Sequence, residues 1–168
     1  MKLLGIVPLV LLAFLLGVVG ASFAAKEALP HLMFKEVRSP HDHDHTLEVI
    51  RARVAAQPGW RITAEIDQQA AILAGGGADV GPYRILKICN GAHAARMLGS
   101  DDRRYFGVMM PVSVAVYERA DGHTYVSLVN GSALSKIFGG DYDEVLQAVR
   151  HDMEEIFRFL HLSFDILD

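Results

Sequence analysis

From Leu3 to Ala25 the sequence contains no charged side chain, a run long enough to cross a bilayer as a single helix. Its apolar content is continuous instead of periodic, so a helix built from it has no polar face to turn toward water. Lys2 precedes Leu9-Val10-Leu11-Leu12-Ala13-Phe14-Leu15-Leu16 as the positive flank of an export signal does. Val19-Gly20-Ala21 and Ser22-Phe23-Ala24 both fit the small-x-small pattern of a cleavage site. Gly5, Pro8, Gly17 and Gly20 are equally compatible with an uncleaved spanning helix. Residues 1–25 are therefore read as a signal peptide or a membrane anchor, and residues 26–33 as a linker. With Lys2 on the inner side, the positive-inside rule places the remainder outside the cytoplasm: periplasmic, extracellular or membrane-anchored.

What remains, residues 34–164, has the length of one ordinary domain with one core. A single cysteine, Cys89, excludes an internal disulfide framework, so the fold must rest on apolar burial and hydrogen bonding. The net charge of -4, with no dense Lys/Arg block and no basic stripe interleaved with aromatics, argues against nucleic acid as a partner.

Phe34 to Arg38 is extended in pattern and ends at Ser39-Pro40. With Asp44 or Thr46 as its cap, a helix follows in which Leu47, Ile50 and Val54 share a face and Glu48, Arg51 and Arg53 turn away, until Pro58-Gly59 stops it. Trp60, Ile62, Ala64 and Ile66 alternate with polar residues and predict a strand with those four on one buried face. Gln68 to Leu73 is too short to place, and Gly75-Gly76-Gly77 with Gly81-Pro82 marks a loop. Tyr83 to Cys89 reads as a strand running into Asn90-Gly91, then two helical turns from Ala92 to Leu98 ending at Gly99. A hairpin follows, Val112-Val114-Val116 against Thr124 to Val129 through a two-residue turn at Asp121-Gly122. Ser132 caps a short turn through Phe138. Asp141 and Glu144 form a capping box before a long helix whose apolar stripe is Val145, Val149, Met153, Ile156 and Leu160. The hairpin-linked strands are too close for parallel crossovers. An α+β fold is predicted: a mostly antiparallel sheet, helices on one face, in the order β-α-β4-α behind the N-terminal hydrophobic helix.

Arg84-Ile85-Leu86-Lys87-Ile88-Cys89-Asn90, Met110-Pro111 opening a strand, Val116-Tyr117-Glu118 with Asp121-Gly122, and the terminal amphipathic helix form an ordered set. Together, over about Phe34 to Leu162, they resemble the domain of unknown function family 302. The resemblance implies a TBP-like α+β fold and no particular activity. Family members often have Asn-Pro where this chain has Asn90-Gly91, which frees the local turn.

Two side-chain groups are candidate sites. Cys89 ends a strand, and His93 and Met97 follow at helical spacing, so a helix starting near Gly91 puts imidazole and thioether on one face. Such donors suit copper or haem iron, with Met109 and Met110 nearby in sequence; the alternative is a packing cysteine with core methionines. There is no CxxCH haem attachment. His41, His43 and His45 alternate with Asp42 and Asp44: extended, they put three imidazoles on one side, and helical, they pair His41 with His45. Either suits zinc or copper, and either also serves as a solvated linker and helix cap.

GxSxG, a Walker loop, HExxH and paired CxxC are all absent, and no third residue in the sequence orients His93 as a base for Cys89. The expected function is a non-enzymatic ligand-binding or sensory module outside the cytoplasm. Its alternatives are a metal or haem protein and a cysteine-dependent enzyme. A homodimer through a sheet edge or the hairpin is also expected, since a small sheet leaves edges to protect.

Overall fold

The computed structural model describes residues 6–138 and 141–162 and divides the chain into two units at Met33. The first is one helix, α1 (Ile6–Met33), which includes Pro30 near its end. Residues 26–33, expected as a linker, are thus helical: they contain no glycine, and Ala25, Lys26, Glu27, Ala28 and Leu29 all accommodate helix well. The stretch Val10–Met33 is apolar and long enough to cross a membrane, and none of it is buried.

The second unit carries five strands: β1 (Phe34–Arg38), β2 (Trp60–Asp67), β3 (Tyr83–Asn90), β4 (Val112–Glu118) and β5 (Thr124–Val129). They form one sheet in the order β1-β5-β4-β3-β2, every pairing antiparallel. Between and after them come α2 (His43–Ala56), α3 (Gln68–Ala74), α4 (Gly91–Leu98), a 3₁₀ segment (Asp101–Met109), α5 (Gly131–Phe138), α6 (Asp141–Ile156) and a short 3₁₀ turn (Arg158–Leu160).

The core lies where α2 and α6 meet one face of the sheet. Ile50 and Val54 of α2, Leu86 and Ile88 of β3, Val114 and Val116 of β4, Val126 of β5, Ile156 of α6 and Phe157 just beyond it are all but fully buried in one cluster. Full burial of each such side chain contributes roughly 1.5–3 kcal/mol. Val145, Met153, Ile156 and Leu160 of the predicted stripe are buried and Val149 is half-buried. Of the expected capping box, the Asp141 side chain lies outside the described residues, and Glu144 pairs with Arg96 of α4 at 2.9 Å.

Four local readings are corrected. Strand β2 has a bulge between Ile62 and Ala64. A bulge inserts one residue and so reverses the alternation beyond it. Trp60 and Ile62 oppose Asn90 and Ile88 on the helical face, but Glu65, not Ile66, then opposes Leu86. Glu65 meets Arg51 of α2 there at 2.5 Å, while Ala64 and Ile66 turn to the other face opposite Lys87 and Ile85. Second, α2 is capped by Asp42, whose Oδ1 accepts from the His45 amide at 2.9 Å. Thr46 instead lies buried, bonded to Ser39 at 2.7 Å. Third, the hairpin loop has three residues at its tip: Arg119 N–H donates to His123 C=O, and Gly122 takes φ +75°. A left-handed residue after a turn is what a three-residue loop needs, and glycine adopts it without strain. Fourth, α5 starts one residue earlier than Ser132, with Asn130 Oδ1 accepting the Ser132 amide at 3.1 Å. The unplaced Gln68 to Leu73 is helix α3, capped by Asp67.

The second face of the sheet carries a ladder of tyrosines. Tyr83 and Tyr117 stack with centroids 5.0 Å apart, and Tyr125 continues the row at 6.4 Å. Glu36 accepts a hydrogen bond from the Tyr117 hydroxyl and pairs with Arg119, whose guanidinium lies 4.3 Å over the Tyr125 ring.

Candidate functional site

Strand β3 ends because Asn90 takes over the bonding of the chain: its Oδ1 accepts from the amides of Ala92 at 3.0 Å and His93 at 3.4 Å, which starts α4. Its amide lies against Gly59, where a Cβ would come within 2.9 Å of Nδ2, and Gly59 has φ +76°. Only glycine suits that turn, and the turn delivers Trp60 into the helical face opposite Asn90.

His93 and Met97 lie one turn apart on α4, as the spacing predicted. Across from them, α6 presents Asp152. Its Oδ2 accepts from His93 Nε2 at 2.9 Å and from Trp60 Nε1 at 2.8 Å, and its Oδ1 accepts from Gln57 Nε2 at 3.0 Å. Both members of the His93–Asp152 pair are under one-fifth exposed, at 18% and 19%. Burial by itself pushes the Asp152 carboxyl up, but hydrogen bonds from Trp60, His93 and Gln57, with the His93 charge, outweigh it and hold the group below its ordinary value. An ionised carboxylate can only accept, so Nε2 of His93 carries a proton. Nδ1 is enclosed and has no protein partner.

This polar corner borders a cavity of about 280 Å³ between the ends of β3, β4 and β5, helices α4 and α6, and the 3₁₀ segment. Its lining is mainly apolar and includes Met97, Met109, Met110 and Met153, which are all the methionines of residues 34–162. Met97 is fully buried against Phe106 and Val145, while Val108 and Met109 are exposed at the lip.

Cys89 is half-buried and also lines this cavity. The strand's alternation nevertheless assigns it to the tyrosine face with Lys87, while Ile88 and Asn90 turn to the helices. No hydrogen bond joins it to His93. The structure therefore brings His93 and Met97 together at one cavity, with Cys89 at its border instead of in contact with the imidazole.

The three histidines of the His41–His45 tract are not gathered. Helix α2 begins at His43, so His41 and His45 meet edge to face at 4.4 Å, and His41 stacks on Phe159. His43 points elsewhere: it is buried, with Nδ1 3.1 Å from Asp44 and Nε2 unpartnered. Among the described residues no group of three or more His, Cys, Asp or Glu side chains stands close enough to hold a metal. A polar cleft of about 340 Å³ lies beside His43 at the opposite end of the sheet, with Arg84 and Asp67 paired across it at 2.6 Å.

Asp152, Trp60 and Gln57 were not singled out from sequence as site residues. Asp152 had a signal: it is seven residues after Val145 and four before Ile156, a charge placed on the apolar stripe of α6. A buried charge in such a position requires partners. Their identity depends on folding across about a hundred residues.

The model of the family described as Domain of unknown function DUF302 matches residues 35–160. Among solved structures, the chain is similar to one titled as the crystal structure of the uncharacterized conserved protein DUF302 from Bacillus stearothermophilus, at 18% identity and a TM-score of 0.66. That match covers 76% of this chain and 98% of the other, and it supports the α+β fold. No curated protein matches. The antiparallel sheet with helices on one face and the match through residues 35–160 lead to one conclusion: the chain belongs to the DUF302 family.

Proposed function

We propose that this chain is a non-enzymatic ligand-binding or sensory module acting outside the cytoplasm, exported behind or anchored by α1, and that its binding site is the cavity at His93 and Met97. The observation that carries this is the combination of an apolar cavity with one polar corner that is already organised, since Trp60 and Gln57 hold Asp152 and Asp152 holds His93. Ligand sites are mostly apolar concavities with a few convergent polar groups. Trp60 is the only tryptophan and lines the cavity, so its emission reports on occupancy. Titration with small apolar molecules should change that emission saturably, and a linear response throughout would overturn the proposal.

A second reading, a soft-metal or haem protein, is favoured by one observation: Cys89, His93, Met97, Met109, Met110 and Met153 all border the same cavity. Thiolate, thioether and imidazole suit copper(I) or iron. Metal analysis and optical spectra of protein purified from its native compartment test it, and protein free of metal and haem absorbance excludes it. The tract His41, His43 and His45 belongs to the same test.

A cysteine-dependent enzyme has less support, because a nucleophile and its base need hydrogen-bond reach and Cys89 and His93 lack it. Thiol labelling against pH, with and without His93→Ala, would show coupling if it exists. For the proposed homodimer, the hairpin strands β4 and β5 are both interior to the sheet, so β1 and β2 are the edges on offer. The β2 bulge blunts one of them, which favours β1. Sedimentation showing only monomer at high micromolar concentration would remove this assembly.

A further inference from the structure

The two ends of the sheet differ in chemistry. At one end β1 begins with Phe34 paired to Val129, β2 begins with Trp60 paired to Asn90, and β4 begins with Val112 paired to Ile88. The cavity opens at this end, where Trp60, Asn90, Val112 and Val129 line it. The chain arriving from α1 enters the sheet at Phe34, so it too joins the domain at the cavity end. Residues 26–33 are all that separate the uncharged N-terminal run from that point. The opposite end of the sheet carries Asp42, Asp44, Asp67 and Glu118 around its polar cleft.

The lip of the cavity is the last part of the 3₁₀ segment. Phe106 is buried against Met97 and Val145 and holds the segment to the domain, while Tyr105, Val108 and Met109 are exposed. At 88%, Val108 is the most exposed large apolar side chain among the described residues, ahead of every such residue of α1. Single exposed apolar residues are ordinary, but three on one short segment at the mouth of an apolar cavity form a patch that marks a contact. Asp101 and Asp102 offset Arg103 and Arg104, so the segment carries no net charge, and tyrosine suits the boundary between lipid headgroups and hydrocarbon.

We infer that Tyr105, Val108 and Met109 form a lip that inserts into the surface of the bilayer crossed by an anchored α1, so that the cavity behind it opens onto lipid. This rests on the anchored form of the function proposed above and supplies the partner of that cavity, a lipid surface. The attachment point selects the bilayer over a second copy as the occupant of the patch. A domain tethered at Phe34 through so short a segment keeps its cavity end near the membrane at all times, whereas a second copy must be met by diffusion. Insertion takes apolar side chains out of water, and the acidic cleft at the far end of the sheet stays in it.

The test reconstitutes the full-length chain into phosphatidylcholine vesicles doped with a phosphatidylcholine that carries a photoactivatable diazirine on one acyl chain. After flotation and illumination, lipid adducts are mapped to peptides by mass spectrometry. Adducts should fall on α1 and on residues 105–110, and not on residues 78–82, where the exposed Val80 precedes the start of β3 at the far end of the sheet. Val108→Asp should lower labelling of residues 105–110 about tenfold and leave that of α1 unchanged, the effect of losing one buried apolar side chain. Adducts on α1 alone would overturn the lip, whether water or a second copy covers it, and leave the anchor standing. Equal labelling around Val80 would also overturn it, since exposure alone would then account for the contact. A chain that fails to float with the vesicles would overturn the anchor and the lip together. The unaltered chain decides the matter even if the variant fails to fold.

Discussion

Each face of the sheet has a carboxylate that gathers donors, and the two are used differently. On the tyrosine face Glu36 bonds Tyr117 and Arg119, with side chains 30% and 47% exposed in the ion pair. On the helical face Asp152 bonds Trp60, Gln57 and His93 at under one-fifth exposure. Water can replace the partners of Glu36. It has little access to those of Asp152, so there every donor depends on the one carboxylate. The contrast teaches that the same hydrogen-bond count becomes a structural requirement only where solvent is excluded.

The largest test of the contrast removes apolar volume from each face. Phe157→Ala, at a fully buried side chain, should cost about 4 kcal/mol in urea unfolding. Phe34→Ala on edge strand β1, 54% exposed, should cost only a small fraction of that. Comparable losses would mean that the tyrosine face is covered in solution.

Next in size is removal of the carboxylates. Asp152→Ala strands Trp60 Nε1, Gln57 Nε2 and His93 Nε2 and should cost about 3 kcal/mol, measured the same way. Glu36→Ala should cost clearly less, because its partners regain water. The reverse order would break the comparison.

Acid should discriminate the faces more finely. The Asp152 carboxyl sits below its ordinary 3.8 in the folded state, so near and below that value the unfolded chain binds more protons and stability falls as pH falls. The contribution is fully present above about pH 4 and is lost through the lower, folded-state value. Asp152→Asn should flatten the acid limb of a stability-against-pH curve, and an unchanged limb would contradict the assignment.

The smallest expected effect is at high pH. Burial, and then the hydrogen bond to Glu36, push the Tyr117 hydroxyl well above its ordinary 10.0. The unfolded chain releases that proton first, so stability present below about pH 10 should decline above it. Tyr117→Phe should lessen the decline, read by ultraviolet tyrosine titration alongside unfolding.

How legible this was varied with the range of the interaction. Leu47, Ile50 and Val54, or Val112, Val114 and Val116, report their periodicity within a few residues, and the structure keeps them on one face. The β2 reading failed after Ile62 because a bulge depends on the register with β3, a property of two strands about twenty-five residues apart. The cap of α2 was missed by two residues because Asp42, Asp44 and Thr46 are chemically near-equivalent caps, and the choice among them was made when Thr46 was buried against Ser39.

The sequence by itself determined the uncharged N-terminal run, the antiparallel α+β domain, its family and the helical spacing of His93 and Met97, since each is set by local pattern. Only the tertiary structure decided that Cys89 faces away from His93, that His41 and His45 part from His43, and that Asp152 orients the imidazole. Those outcomes depend on which face a strand residue takes and on contacts between α4, β2 and α6. Asp152 and His93 are 59 residues apart, and only their shared exclusion from water makes the pair matter.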